Sequence, residues 1–247
     1  MQQNLIFALH GFLGHSSDWS AVSQELETVL KDKTSWITPD LFSASSSSIL
    51  SLPEMPISFL NFYQNKFKLT GRKIFVGYSL GARLGMHFLE NYTQDFDHFI
   101  FVSGHPGLQS AEEKKQRLDS DKNWSALITD IGWSEFLQKW NSQDIFNTSV
   151  KDPIRERSAF DLQKLKASLE LWSLGQQSDL RSALSKNRDK ITWVVGSKDA
   201  KFFKLAEDLE QKKILLDFNR IFSGHRILFE NPTSLANLIA QVISKLR

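Results

Sequence analysis

The residues best suited to chemistry in this chain are a serine, an aspartate and a histidine, far apart in sequence and met in that order. Ser79 sits in Gly77-Tyr78-Ser79-Leu80-Gly81, a G-x-S-x-G spacing. A serine hydroxyl alone is a weak nucleophile and a weak base. It needs an imidazole to take its proton and a carboxylate to fix the imidazole tautomer. His225, in Ser223-Gly224-His225, comes late in the chain, and Asp199, in Gly196-Ser197-Lys198-Asp199, precedes it. Ser79, Asp199 and His225 are therefore the candidate catalytic residues.

Charge that develops during such a reaction needs fixed N–H donors. The residue after the serine supplies one, the Leu80 amide at the start of a helix. His10-Gly11-Phe12-Leu13-Gly14, after the first apolar run, offers the second, the Phe12 amide. His10 is expected to brace that loop. Arg83 lies four residues beyond Ser79, on the same helical face. Of the remaining histidines, His87 and His98 fall in predicted elements and read as core or surface residues. His15 reads as a loop residue. His105 could touch a substrate or serve the structure.

The elements that must position these residues alternate. Apolar runs predict strands over 4–9, 35–38, 72–77, 98–103, 191–195 and 214–218. Helical spacing falls over 19–31, 56–68, 80–91 and 200–210, with a last helix from Pro232. The serine-rich stretch from Ser43 to Ser51 reads as a surface loop. From 105 to 177 the alternation stops, and the sequence is helical and charged, with Trp124, Trp133, Trp140 and Trp172. The expectation is a mostly parallel, twisted sheet with helices on both faces and a helical cap over its C-terminal edge, where open α/β sheets bind ligands. The segments would be core over 1–104, cap over 105–177 and core again over 178–247. A G-x-S-x-G between a strand and a helix, with the acid and then the histidine after it, is the signature of the α/β-hydrolase fold.

Composition narrows the class further. The 247 residues are 41% apolar and 23% charged, with a formal net charge of +2. No global field favours nucleic acid or a membrane. There is no cysteine, which excludes disulfides, thiolate metal sites and a cysteine nucleophile. No His/Asp cluster has metal-ligand spacing, and no Gly-rich loop ends in Lys-Ser/Thr. Leu5-Ile6-Phe7-Ala8-Leu9 is too short for a signal segment or a membrane span. The expectation is a cytoplasmic protein without a metal site. The sequence does not fix an oligomeric partner.

Leu9-His10-Gly11-Phe12-Leu13-Gly14, Gly77 to Arg83, Gly104-His105-Pro106-Gly107-Leu108 and Gly224-His225 with Glu230-Asn231-Pro232 resemble the SHCHC (2-succinyl-6-hydroxy-2,4-cyclohexadiene-1-carboxylate) synthases of menaquinone biosynthesis. Leu180 to Leu184 and Lys198 to Phe202 also fit, so the resemblance covers essentially the whole chain. It implies a lyase that eliminates pyruvate from a cyclohexene bearing several carboxylates without metal or organic cofactor, with Ser79 acting as a base through His225. It also implies that Arg83, Arg117 and Arg157 bind substrate carboxylates and that Tyr78 and Trp140 line the pocket. The region 105–180 holds ten Lys or Arg against twelve Asp or Glu, so such a site rests on placement and not on a basic block. One departure is Arg226-Ile227-Leu228-Phe229, where the family usually has a second histidine. Two other readings compete: a carboxylesterase or C–C bond hydrolase using the same three residues, and a ligand-binding relative without catalysis.

Overall fold

The computed structural model describes residues 3–30, 34–46, 48–67, 71–148 and 152–246. Six strands form one sheet: β1 (Asn4–Leu9), β2 (Thr34–Ile37), β3 (Arg72–Tyr78), β4 (His98–Val102), β5 (Ile191–Gly196) and β6 (Asn219–Ile221). Their order across the sheet is β2-β1-β3-β4-β5-β6, and every neighbouring pair is parallel. Parallel strands need crossover connections, and α1 (Ser20–Val29), α2 (Met55–Phe67), α3 (Leu80–Asn91) and α8 (Ala200–Gln211) supply four of them, while the short α9 (Ile227–Glu230) and α10 (Pro232–Lys245) follow the last strand.

Alternation along each strand feeds two cores. Phe7, Phe75, Phe99, Phe101 and Trp193 point to the face covered by α3 and α8. Ile6, Ile74, Ile100 and Val194 point to the face covered by α1 and α10. Both faces are covered, so the strands read as continuous apolar runs and not as a one-sided alternation. The first core is dense in aromatic rings. Phe75 lies 5.3 Å from Phe88, 5.6 Å from Phe96 and 5.8 Å from Phe99, within the range of favourable edge and offset contacts.

Between β4 and β5 the chain runs through α4 (Ala111–Asp130), α5 (Trp133–Asn141), α6 (Leu162–Leu171) and α7 (Arg181–Lys186). A capping box starts α4: Ser110 accepts from the Glu113 amide, and the Glu113 carboxylate accepts from the Ser110 amide. Among the described residues, no helix is long and apolar enough to cross a membrane.

One predicted strand is displaced. The run 214–218 is not a strand; the last strand is Asn219–Ile221. The apolar residues Ile214 and Leu215 instead close the C-terminus of α8, both amides donating to the Leu209 carbonyl after a turn through Lys213 at φ 57°. Leu215 is buried there as the hydrophobic plug of a helix end, a role that periodicity cannot separate from a short strand.

Candidate active site

Ser79 stands on the turn between β3 and α3 with φ 52° and ψ −108°, a conformation that L-residues rarely adopt. Two contacts hold it there. Its amide donates to the Val102 carbonyl at 2.8 Å, and its carbonyl accepts from the Arg83 amide at 3.1 Å. The flanking glycines are required by backbone approach. A Cβ on Gly81 would lie 2.1 Å from the Leu9 carbonyl oxygen, and one on Gly77 would lie 2.5 Å from that of Gly81.

The loops after β5 and β6 bring the other two residues in. The Lys198 amide donates to the Ser223 carbonyl, and a Cβ on Gly196 would sit 2.0 Å from the Gly224 carbonyl, so the two loops run in direct contact. His225 Nε2 is 3.1 Å from Ser79 Oγ, and His225 Nδ1 is 2.6 Å from Asp199 Oδ2. With Nδ1–H given to the carboxylate, Nε2 is left to accept the serine proton. Asp199 and His225 are both buried, and the rings of Phe202, Tyr78 and Phe146 surround the imidazole at 4.8, 5.7 and 5.9 Å. Burial among these rings strengthens the charge pairing that forms when His225 takes a proton.

His10 braces the first loop. Its Nδ1 donates to the Gly11 carbonyl at 2.8 Å, and its Nε2 accepts from the Leu41 amide at 3.0 Å. Burial lowers its pKa to about 4, so it holds the loop as a neutral ring. The loop presents Phe12 beside Ser79 and Leu80, all three lining one cavity of about 420 Å³. Leu80 is the first residue of α3, where amides have no intrahelical acceptor. These are the positions expected of two donors facing a developing oxyanion.

The same cavity is lined by Arg83, Arg117 and Trp140. Arg83 is buried; its Nε donates to Gln177 Oε1 at 3.0 Å and its Nη2 to the Trp172 carbonyl. Burial and the nearby Arg117 lower its pKa to about 9. Among the described residues no carboxylate pairs with it. Arg117 pairs with Asp121 at 2.8 Å. Trp140 lies 4.6 Å from the Phe12 ring and 5.0 Å from that of Trp124. His105 also lines the cavity. Its Nδ1 accepts from the Gly107 amide at 3.1 Å, and burial lowers its pKa to about 3.

A smaller chamber of about 70 Å³ shares Ser79 and His225 in its lining and is also lined by Tyr78. Burial raises the Tyr78 pKa, so its hydroxyl stays protonated. Arg157 does not reach either chamber: it is exposed, and its guanidinium donates to the Phe160 carbonyl at 2.8 Å. Two residues earlier, Arg155 lines the smaller chamber and grips Asp18 with two bonds of 2.7 and 2.8 Å. Arg226 lines it too, held by Asp152 and by Asn141 at 2.7 Å, with its guanidinium 4.1 Å above the Phe146 ring. Neither Arg155 nor Lys201, which lines the larger cavity, is singled out as a site residue by its spacing in the sequence. Among the described residues no group of three or more His, Asp and Glu side chains could hold a metal ion.

No family model matches the chain. It is 28% identical over 251 residues to the 2-succinyl-6-hydroxy-2,4-cyclohexadiene-1-carboxylate synthase of Escherichia coli O17:K52:H18, covering 97% of this chain and 93% of that protein. It is 29% identical to the protein of the same name from Escherichia fergusonii, with the same coverage of 97% and 93%. Among solved structures, MenH from S. aureus superposes with a TM-score of 0.82 at 18% identity, over 99% of this chain and 94% of that one. A thermophilic esterase from Thermogutta terrifontis superposes with a TM-score of 0.74 at 18% identity, over 98% and 90%. Such structural likeness at low identity carries the fold and leaves the chemistry to the site.

Proposed function

We propose that this chain, an enzyme that belongs with the SHCHC synthases in the α/β-hydrolase superfamily, eliminates pyruvate from SEPHCHC, the 5-enolpyruvyl precursor, to give SHCHC in menaquinone biosynthesis. His225 takes the Ser79 proton, and the Ser79 oxygen takes a ring proton from the substrate. The electron pair left on the ring is held as an enolate-like charge by the Phe12 and Leu80 amides. The ring C–O bond then breaks, its electron pair leaves with the enolpyruvyl group, and that group takes up a proton to become pyruvate. Asp199 keeps the imidazole in the accepting tautomer and stabilises the imidazolium. The reaction needs no cofactor in this scheme, and its setting is the cytoplasm.

The observation that supports a polycarboxylate substrate is Arg83. A buried guanidinium beside an acyl pocket would carry an uncompensated desolvation cost. Here it lines the cavity of Ser79 and, among the described residues, forms no ion pair with a carboxylate, and a substrate carboxylate would complete it. Arg83→Ala is expected to raise KM and lower kcat together for pyruvate release, with kcat/KM down by about 10² or more. Unchanged constants in a folded Arg83→Ala protein would remove this support. A carboxylesterase reading keeps the same three residues and predicts indifference to Arg83.

A further inference from the structure

Three cationic side chains line the larger cavity, and they differ in what holds them. Arg117 is paired with Asp121, which also accepts from Ser173 Oγ at 2.7 Å. Arg83 is anchored by Gln177 and the Trp172 carbonyl. Among the described residues the Lys201 ammonium has neither a hydrogen bond nor an ion pair; the residue is exposed and contributes to the cavity lining from the solvent side. The other carboxylate in the lining, Asp144, already accepts from Asn147 at 3.1 Å.

Lys201 is also tied to the catalytic frame. It is the second residue of α8, two positions after Asp199 and next to Phe202, whose ring lies 4.8 Å from the His225 imidazole. The turn that fixes the acid therefore fixes where the lysine stem begins. Its ammonium pKa is lowered, first by burial and then by the Arg117 guanidinium, with Asp199 opposing. Two cations sharing one cavity repel each other. An anion between them would relieve both.

We infer that Lys201 is a substrate-binding residue, its ammonium taking a carboxylate of the substrate in the larger cavity beside Arg117. The inference rests on the proposed polycarboxylate substrate and extends it to a residue of α8. Lysine suits this place because a point charge on a flexible stem can follow a carboxylate without the fixed fork that arginine imposes.

Two measurements test it. In the first, succinate is titrated calorimetrically into the Ser79→Ala protein with and without Lys201→Met. Affinity is expected to fall about tenfold with Lys201→Met and to stay within about threefold of the parent with Lys201→Arg. Lys204→Met, on the same helix and outside the cavity, serves as the control and should bind as the parent does. In the second, pyruvate release by otherwise wild-type protein should show a KM about tenfold higher in Lys201→Met, with kcat within about threefold. Equal succinate affinity in parent and Lys201→Met, or no succinate binding by the parent, would overturn the inference. A wild-type protein that releases no pyruvate would sink the proposed function, and the succinate titration would still decide the role of Lys201.

Discussion

Asp199 holds His225 with one carboxylate oxygen and its own helix with the other. Oδ2 lies 2.6 Å from His225 Nδ1, while Oδ1 accepts from the Phe202 amide at 3.3 Å and so caps α8. The acid is thus fixed by the element it starts, and the imidazole inherits that precision. Asn is as good an N-cap as Asp, but its amide NH₂ would favour the wrong imidazole tautomer. Asp199→Asn should therefore keep stability within about 1 kcal/mol by urea denaturation. Its kcat should fall by about 10³ to 10⁴. A large stability loss with kcat preserved would contradict this division of roles.

Arg155 and Asp18 join the part of the helical insert between α5 and α6 to the segment after β1, beside the smaller chamber. Both side chains are largely buried, at 12% and 4% exposure, and the pair is bidentate. The Arg155 carbonyl also accepts from Trp133 Nε1 at 2.8 Å. Removing one partner leaves the other as a buried, unpaired charge. Arg155→Ala should destabilise the protein by about 3 kcal/mol, and Arg155→Ala with Asp18→Ala by less than the sum of the two single changes. Additive losses in a double-mutant cycle would mean that the two charges are not coupled.

Three buried histidines and one half-buried one make stability depend on pH. Burial lowers the pKa of His10, His87 and His98 to about 4 and that of His105 to about 3. Below about 6.5 the unfolded chain binds protons at these sites that the folded chain refuses, so stability is complete above that pH and is lost as pH falls toward 4. The midpoint of thermal unfolding should be flat above pH 7 and drop by about 5 °C or more between pH 7 and pH 5. A midpoint that holds constant to pH 5 would mean that these rings are hydrated in the folded protein.

What could be read from sequence follows from how local the cause is. The turn around Ser79 is legible because its glycines answer to backbone contacts at 2.1 and 2.5 Å that admit no Cβ. The buried strands and α3 are legible because their apolar runs are long and bounded. The run 214–218 misleads because an apolar helix plug and an apolar strand look alike over five residues. Arg157 and Arg155 are two residues apart in a segment without periodicity, where spacing gives no facing; the fold turns Arg155 inward and leaves Arg157 on a local carbonyl. The link between Arg226 and Asp152 spans 74 residues and has no local signature. Lys201 is hidden for a different reason: an exposed lysine in the first turn of a helix has no local signature, and only the insert opposite it makes a cavity that it can line.

The most direct test of the account is pyruvate release from SEPHCHC generated in situ, run beside p-nitrophenyl acetate hydrolysis on the same protein and on Ser79→Ala. The account predicts fast pyruvate release, little ester hydrolysis, and loss of the release by at least about 10³ in Ser79→Ala, with substrate binding largely kept. Ester hydrolysis without pyruvate release would contradict the lyase reading while leaving the three residues in use. Wild-type-like release by Ser79→Ala would contradict the role of the serine itself.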